Sequence, residues 1–162
     1  MNSIKYQEYQ SIIQPALEVE EYLKLKEMGH HGITRFEHSM RVAKYTYAIT
    51  KALHLNYYEA TFAAVLHDFF TTEVKKVNVY KKVSQHPRIA LNNSKKYFSL
   101  SPLEEDIILT HMFPCTLRPP KYLESWIVDA VDDVVALYEW SRSFGKEIAT
   151  IATVILQFIQ LR

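Results

Sequence analysis

The chain has 162 residues, of which 48% are hydrophobic and 23% charged, and its formal net charge is +1. This size and balance are ordinary for a globular protein with a buried core, so we expect a single domain spanning residues 1–162. A net charge so close to zero gives no field that would attract nucleic acid or an anionic membrane, and we expect neither as a partner.

We expect neither a signal peptide, a membrane span nor a disulfide. The N-terminal segment has no apolar stretch of signal-peptide length, and the most apolar run, 148–159, is too short to span a bilayer. The single cysteine, Cys115, excludes an intrachain disulfide and favours a reducing compartment. We interpret Cys115 as a buried structural thiol rather than a nucleophile. A cytoplasmic protein is therefore expected.

The composition indicates helices. Glycine occurs only at positions 29, 32 and 145, whereas sheet proteins usually need more glycine in their turns. The scarcity also leaves no glycine-rich phosphate loop of the dinucleotide-binding or P-loop kind. We predict an all-α, single-domain bundle of about six to seven helices. Its motif-bearing core spans about 34–140, between flanking helices at 3–28 and 145–160.

Three helix starts carry a capping residue three positions before a glutamate. These pairs are Thr34 with Glu37, Asn56 with Glu59, and Ser101 with Glu104. The predicted helices span 3–28, 35–54, 57–70, 87–98, 102–112, 121–141 and 145–160. Between them, 71–85 is rich in lysine without clear periodicity, which predicts a surface loop. Whether that loop covers a site is left open.

Histidines fall on the apolar faces of the second and third predicted helices. His38 lies in a stripe with Val42, Tyr45 and Ile49 when the helix is projected at 100° per residue. His67 lies over small alanines and is followed at once by Asp68. A buried histidine needs hydrogen bonds or a metal for its nitrogens, so each position alone is also compatible with an ordinary core histidine.

Two further helices repeat this pattern. His111 lies near the end of its helix beside Ile107 and Ile108. In the acidic cluster, Asp132 lies at the edge of the apolar stripe and is predicted to turn inward, whereas Asp129 and Asp133 are predicted to be solvated. Buried charge is costly unless it is paired or bound to metal. Structural polar clusters explain one or two such residues well, but they explain four or five poorly.

The order of these residues resembles the HD-domain superfamily of metal-dependent phosphohydrolases, whose minimal signature is His…His-Asp…Asp on a helical bundle. The matching strings are Arg35-Phe36-Glu37-His38, Ala64-Val65-Leu66-His67-Asp68 and Val131-Asp132. The similarity runs over about 34–137. The strings His111-Met112-Phe113-Pro114 and 119–125 also resemble a group of small bacterial HD hydrolases. The resemblance implies a metal-activated water that cleaves a phosphate ester, with Asp68 as the catalytic carboxylate.

His86 and His111 occupy the interval where two-metal HD proteins keep additional histidines. The pattern is similar to the diiron type of dinucleoside-tetraphosphate hydrolases. Those enzymes usually carry a lysine shortly after the His-Asp pair, whereas this chain has Phe69-Phe70-Thr71-Thr72, which puts their particular substrate in doubt. The resemblance implies that Asp68 bridges two divalent ions such as Fe or Mn. His38, His67 and Asp132 would hold one ion, and His86 and His111 the other.

A phosphate substrate also needs cations outside the metals. Arg35, one turn before His38, is a candidate substrate-binding residue, and so are Arg118 and Lys121 between His111 and Asp132. Each is also compatible with a solvated surface charge. We expect a small phosphorylated substrate such as a nucleotide, and the sequence leaves a homodimer open.

Two other functions fit the same ligands. One is a mixed-valent diiron oxygenase on the same scaffold, which oxygen consumption would distinguish from a hydrolase. The other is a non-catalytic, metal-stabilised ligand-binding module, which an intact ligand set and the lack of a visible partner domain disfavour. Fold alone does not decide among them.

Overall fold

The computed structural model describes residues 3–30, 33–71, 79–144 and 157. The described chain is all-α, as predicted, apart from one 3₁₀ turn at Lys24–Glu27 and a two-residue antiparallel pairing of β1 (Gly29–His30) with β2 (Ile33–Thr34). The α-helices are α1 (Ser3–Leu17), α2 (Glu20–Leu23), α3 (Arg35–Ala52), α4 (Tyr57–Leu66), α5 (Val79–Ser94), α6 (Pro102–Thr110) and α7 (Leu123–Phe144).

The predicted helix starts are confirmed by their capping contacts. Both Thr34 and Ser101 form complete capping boxes. The hydroxyl accepts a hydrogen bond from the backbone N–H of the glutamate, and the glutamate carboxylate accepts one from the backbone N–H of the capping residue. The Asn56 side chain accepts from the Glu59 N–H. These caps determine where α3, α4 and α6 begin, and therefore which turns of those helices reach the interior.

The predicted continuous helix at 3–28 is wrong. Val19 adopts an extended backbone (φ −89°, ψ 112°), and the chain turns there into α2 and the 3₁₀ segment. The turn lets Tyr22 and Leu25 become fully buried, and the Tyr22 hydroxyl donates to the Val65 carbonyl at 2.9 Å. This burial outweighs the local preference of the sequence for one long helix.

The fifth helix begins earlier than predicted. We expected a start at Pro87 after a loop at 71–85, but α5 already begins at Val79, so Pro87 lies inside the helix. Residues 72–78 of the predicted loop lie outside the described residues. A proline inside a helix lacks the N–H that would donate to the carbonyl one turn earlier, so proline is expected in the first turn of a helix. The sequence pattern therefore favours a helix start at Pro87. The predicted helix 145–160 also lies outside the described residues, except for Gln157.

The fourth helix forms the centre of the bundle. It packs against α3, α6 and α7, and its residues from Ala60 to Leu66 are all buried. A helix that is apolar on all sides is typical of such a central position. Its C-terminal end therefore delivers His67 and Asp68 into the middle of the surrounding helices. Within the described ranges, no helix combines the length and apolarity that crossing a bilayer requires.

Candidate metal centre

Five helices bring the six predicted ligands to one place. His38 lies in the first turn of α3, His67 and Asp68 directly follow α4, and His111 directly follows α6. His86 and Asp132 come from the interiors of α5 and α7. All six side chains are buried, the most exposed being His86 at 8%. Residues distant in sequence thus form one polar cluster in the core.

One half of the cluster surrounds the Asp132 carboxylate. Its Oδ1 lies 2.8 Å from His38 Nε2 and 3.6 Å from His67 Nε2. The His38 and His67 rings are 5.4 Å apart between centroids. The inward turn of Asp132 that the stripe position predicted is confirmed.

The other half surrounds Asp68. Its Oδ1 lies 3.5 Å from His86 Nε2 and 3.8 Å from His111 Nε2. The Nε2 atoms of His86 and His111 are themselves 2.9 Å apart. Ligand atoms of Asp68 lie within 4.8 Å of those of His38 and His67 as well as those of His86 and His111. Asp68 is therefore common to both halves.

The histidine nitrogens that face the cluster fit a divalent metal. His67 Nδ1 lies 2.7 Å from the Ala64 carbonyl and His111 Nδ1 lies 2.8 Å from the Ile108 carbonyl. Because a carbonyl only accepts, each Nδ1 carries the hydrogen, and Nε2 is the nitrogen that faces the cluster. His67 Nε2 is buried without a hydrogen-bond partner. This arrangement is typical of metal-ligating histidines, and the mixed imidazole and carboxylate donors suit ions such as Fe, Mn or Zn.

The electrostatics of the Asp132 half are those of an ion pair. Burial opposes the charge on His38, but its hydrogen bonds to Asp132 and Glu139 outweigh burial and raise its pKa to about 10. Burial likewise opposes ionisation of Asp132, yet the adjacent His67 and His38 lower its pKa well below the usual range. Metal-free protein therefore holds a proton on His38 where an ion would bind.

His111 has the opposite electrostatic character. Burial and the neighbouring His67 and His86 lower its pKa to about 3. The pKa of Asp68 is lowered as well, because the four surrounding histidines outweigh the effect of its burial. At neutral pH a neutral imidazole and an ionised carboxylate thus lie side by side, which is the protonation state that metal binding requires.

Glu139 is a contact of the cluster that the sequence analysis missed. Its Oε2 lies 2.8 Å from His38 Nδ1, and its Oε1 accepts a hydrogen bond from Arg41 Nη1. The helical projection that selected Asp132 contains the signal, since Val128, Asp132, Val135 and Glu139 share one buried stripe of α7. An acidic residue two turns after Asp132 on that stripe faces the same interior.

Two predictions about nearby residues are wrong, and one is confirmed. Asp129, predicted to be solvated, is buried, because the 113–120 loop covers it and the Phe113 N–H donates to its Oδ1 at 3.1 Å. Burial and the nearby Asp133 raise the pKa of Asp129 to about 7. Cys115 is exposed, not buried, since it lies in that loop and not in the core. Asp133 is exposed, as predicted.

The three predicted substrate cations occupy different environments. Arg35 is buried, its Nη1 donates to the Phe70 carbonyl at 2.6 Å, and its guanidinium stacks on the Phe70 ring. Its Nε lies 3.8 Å from Asp68 Oδ2, so Arg35 borders the cluster on the Asp68 side. Arg118 and Lys121 have exposed side chains in and after the 113–120 loop.

The fold and the cluster together define an all-α protein with a buried histidine and aspartate centre suited to divalent metal. The family model of the HD domain matches residues 35–137, and the chain belongs to this family, whose members are mostly metal-dependent hydrolases. All six candidate ligands lie within the matched range. No curated protein and no solved structure matches the chain significantly.

Proposed function

We propose that the protein is a metal-dependent phosphohydrolase that cleaves a nucleotide or another small phosphate ester with water as the nucleophile. The observation that carries the proposal is the convergence of six buried nitrogen and oxygen donors, among them His67 Nε2, which makes no hydrogen bond and lies 3.6 Å from Asp132 Oδ1. An unsatisfied buried group costs about 1–3 kcal/mol, and a bound ion would offset that cost at His67 Nε2. Membership of the HD domain family supports the same function.

We further propose that the centre holds two ions. Asp68 supports this number, because it offers a ligand atom within 4.8 Å of those of the His38–His67 pair and of the His86–His111 pair. A carboxylate has two oxygens and can serve both pairs at once. His38, His67 and Asp132 would hold one ion, and His86 and His111 the other.

The chain's own residues would hold the metal ions, orient the Asp68 carboxylate and neutralise the charge of the substrate phosphate. Divalent ions bound here would polarise a phosphoryl oxygen and lower the pKa of a coordinated water. Arg35 would keep Asp68 oriented through its 3.8 Å contact and add positive charge beside the cluster. The exposed side chains of Arg118 and Lys121 would meet the remaining phosphate oxygens of the substrate.

The test begins with elemental analysis of protein purified without chelator, followed by hydrolysis of a panel of nucleotides and phosphomonoesters with the metal found. We expect bound Fe, Mn or a similar ion, and phosphate release that stops when EDTA removes the metal. Protein that binds no divalent ion would contradict the proposal. Metal-bound protein that consumes oxygen but releases no phosphate would instead support an oxygenase on the same ligands.

A further inference from the structure

Glu139 contacts His38 from the side that faces away from the cluster. Its carboxylate Oε2 lies 2.8 Å from His38 Nδ1, and both side chains are almost fully buried. We propose that Glu139, itself held by Arg41, is a positioning residue that fixes the ring orientation and the tautomer of His38 for metal binding. This role rests on the metal centre proposed above.

The three histidines for which an Nδ1 contact is seen use different partners for the same purpose. In His67 and His111 the Nδ1–H donates to the backbone carbonyl three residues earlier in its own helix. His38 instead meets a side chain that is 101 residues away in sequence. An ionised carboxylate only accepts, so Glu139 keeps the hydrogen on Nδ1 and leaves Nε2 to face the cluster.

Arg41 explains how this carboxylate is kept in place. A buried carboxylate is costly unless it is paired, and Glu139 is only 2% exposed. Arg41 Nη1 donates to Oε1 while His38 occupies Oε2, so each oxygen has its own partner. Since Arg41 lies one turn after His38 on α3, both partners hold the carboxylate from the same helix.

A purely structural salt bridge between α3 and α7 is the rival explanation. It predicts that loss of the carboxylate lowers thermal stability and leaves the tautomer of His38 unchanged. The positioning role predicts a change in the tautomer and in metal affinity in protein that is still folded. The two explanations therefore differ in what Glu139→Gln does to the imidazole.

The experiment uses the full chain, stripped of metal and titrated with Zn²⁺, with Glu139→Gln as the main variant. Glutamine keeps the shape but offers an N–H₂ group that can donate to Nδ1 and select the wrong tautomer. We expect Zn²⁺ affinity to fall by about 10–100-fold, as is usual when the outer partner of a metal-ligating histidine is lost. In ¹⁵N spectra of the Zn²⁺-loaded proteins, wild-type His38 should show a metal-bound Nε2 and a protonated Nδ1. In the variant, His38 should shift toward the tautomer with its hydrogen on Nε2, which cannot bind the ion.

The controls remove a carboxylate and a positive charge at the surface. Glu105→Gln breaks the partly exposed pair with Lys95, and Lys44→Gln removes an exposed charge one turn after Arg41. Neither should change Zn²⁺ affinity. Arg41→Gln, at a partly exposed position, gives a second variant of the positioning contact, and we expect it to weaken Zn²⁺ binding in the same direction.

The outcomes separate this inference from the proposed function. Wild-type protein that binds no Zn²⁺ overturns the metal centre, and the positioning role with it. Wild-type binding with unchanged affinity and tautomer in Glu139→Gln overturns the positioning role alone. If Glu139→Gln does not fold, Arg41→Gln decides, and unchanged Zn²⁺ affinity in that variant overturns the proposal.

Discussion

The Nε2 atoms of His86 and His111 lie 2.9 Å apart in the buried cluster. The Nδ1 of His111 donates to the Ile108 carbonyl, so Nε2 of its neutral ring can only accept, and His86 must supply the hydrogen between them. A metal ion bound by both rings has to replace that hydrogen. The pair is therefore a candidate second ion site, in which a hydrogen bond between the two rings takes the place of the ion when metal is absent.

Replacing His86 should remove one ion and not both. We expect His86→Ala to lower the stoichiometry at saturating metal from about two ions per chain toward one, because His38, His67 and Asp132 remain. Elemental analysis after desalting measures it. The matched control is His54→Asn, since His54 is exposed at a positive φ of 57° that asparagine tolerates. A wild-type stoichiometry of one would contradict the second site.

The acidic residues of α7 should differ sharply in their effect on activity. Asp132→Ala removes a proposed metal ligand that lies 2.8 Å from His38 Nε2. We expect activity to fall by more than about 100-fold, because the loss of even an outer partner of a ligand costs about 10–100-fold. Asp133→Ala removes an exposed carboxylate and should keep activity within about twofold of the wild type. Steady-state rates at saturating metal compare them. Equal losses would show that Asp132 is not a ligand.

Asp129 should destabilise the metal-free protein as the pH rises. Its pKa of about 7 lies above the ordinary 3.8, so the folded state holds this proton more tightly than the unfolded state does. The stability that it contributes is fully present below pH 3.8 and is lost as the pH rises through 7.

Asp129→Asn replaces the carboxyl group with a neutral amide that does not ionise. We expect it to raise the Tm at pH 8 relative to the wild type by about 3 °C more than at pH 4, which corresponds to about 1 kcal/mol after a discount for solvent screening. Thermal unfolding in chelator at both pH values measures the difference. The exposed Glu27→Gln serves as the control, and an Asp129→Asn effect equal at both pH values would contradict the prediction.

Metal binding should release a proton from His38. The pKa of His38 is raised to about 10 in the metal-free protein, so Nε2 is protonated at neutral pH and an ion must displace that proton. Apparent Zn²⁺ affinity should rise by up to about tenfold per pH unit between pH 6 and 8 for each proton displaced. Calorimetry in two buffers of different ionisation enthalpy counts the protons. Binding that releases no proton would contradict the assignment of His38 as a ligand.

The sequence predicted the burial of three candidate ligands because helical periodicity reports which side chains face the core. His38, His67 and Asp132 each lie on or beside an apolar stripe, and each is buried as that position predicts. Asp129 was missed for a different reason. Its burial comes from the 113–120 loop, and no periodicity within α7 reports how a distant loop folds over it.

Helix starts were most predictable where a local cap exists. Thr34 and Ser101 have such caps and were placed correctly, whereas the break at Val19 depends on the burial of Tyr22 against the Val65 carbonyl. That contact joins residues 43 positions apart, so local propensity contains no sign of it. The start of α5 was missed because Pro87 usually marks a first turn.

Anomalous X-ray scattering from crystals of the metal-loaded protein tests the metal centre most directly, because it locates each ion relative to the side chains. We predict two peaks inside the cluster, both within about 2.0–2.2 Å of an Asp68 oxygen, with His38, His67 and Asp132 around one and His86 and His111 around the other. A single peak beside Asp132 would contradict the second ion only. The absence of any peak among the six side chains would contradict the metal centre itself.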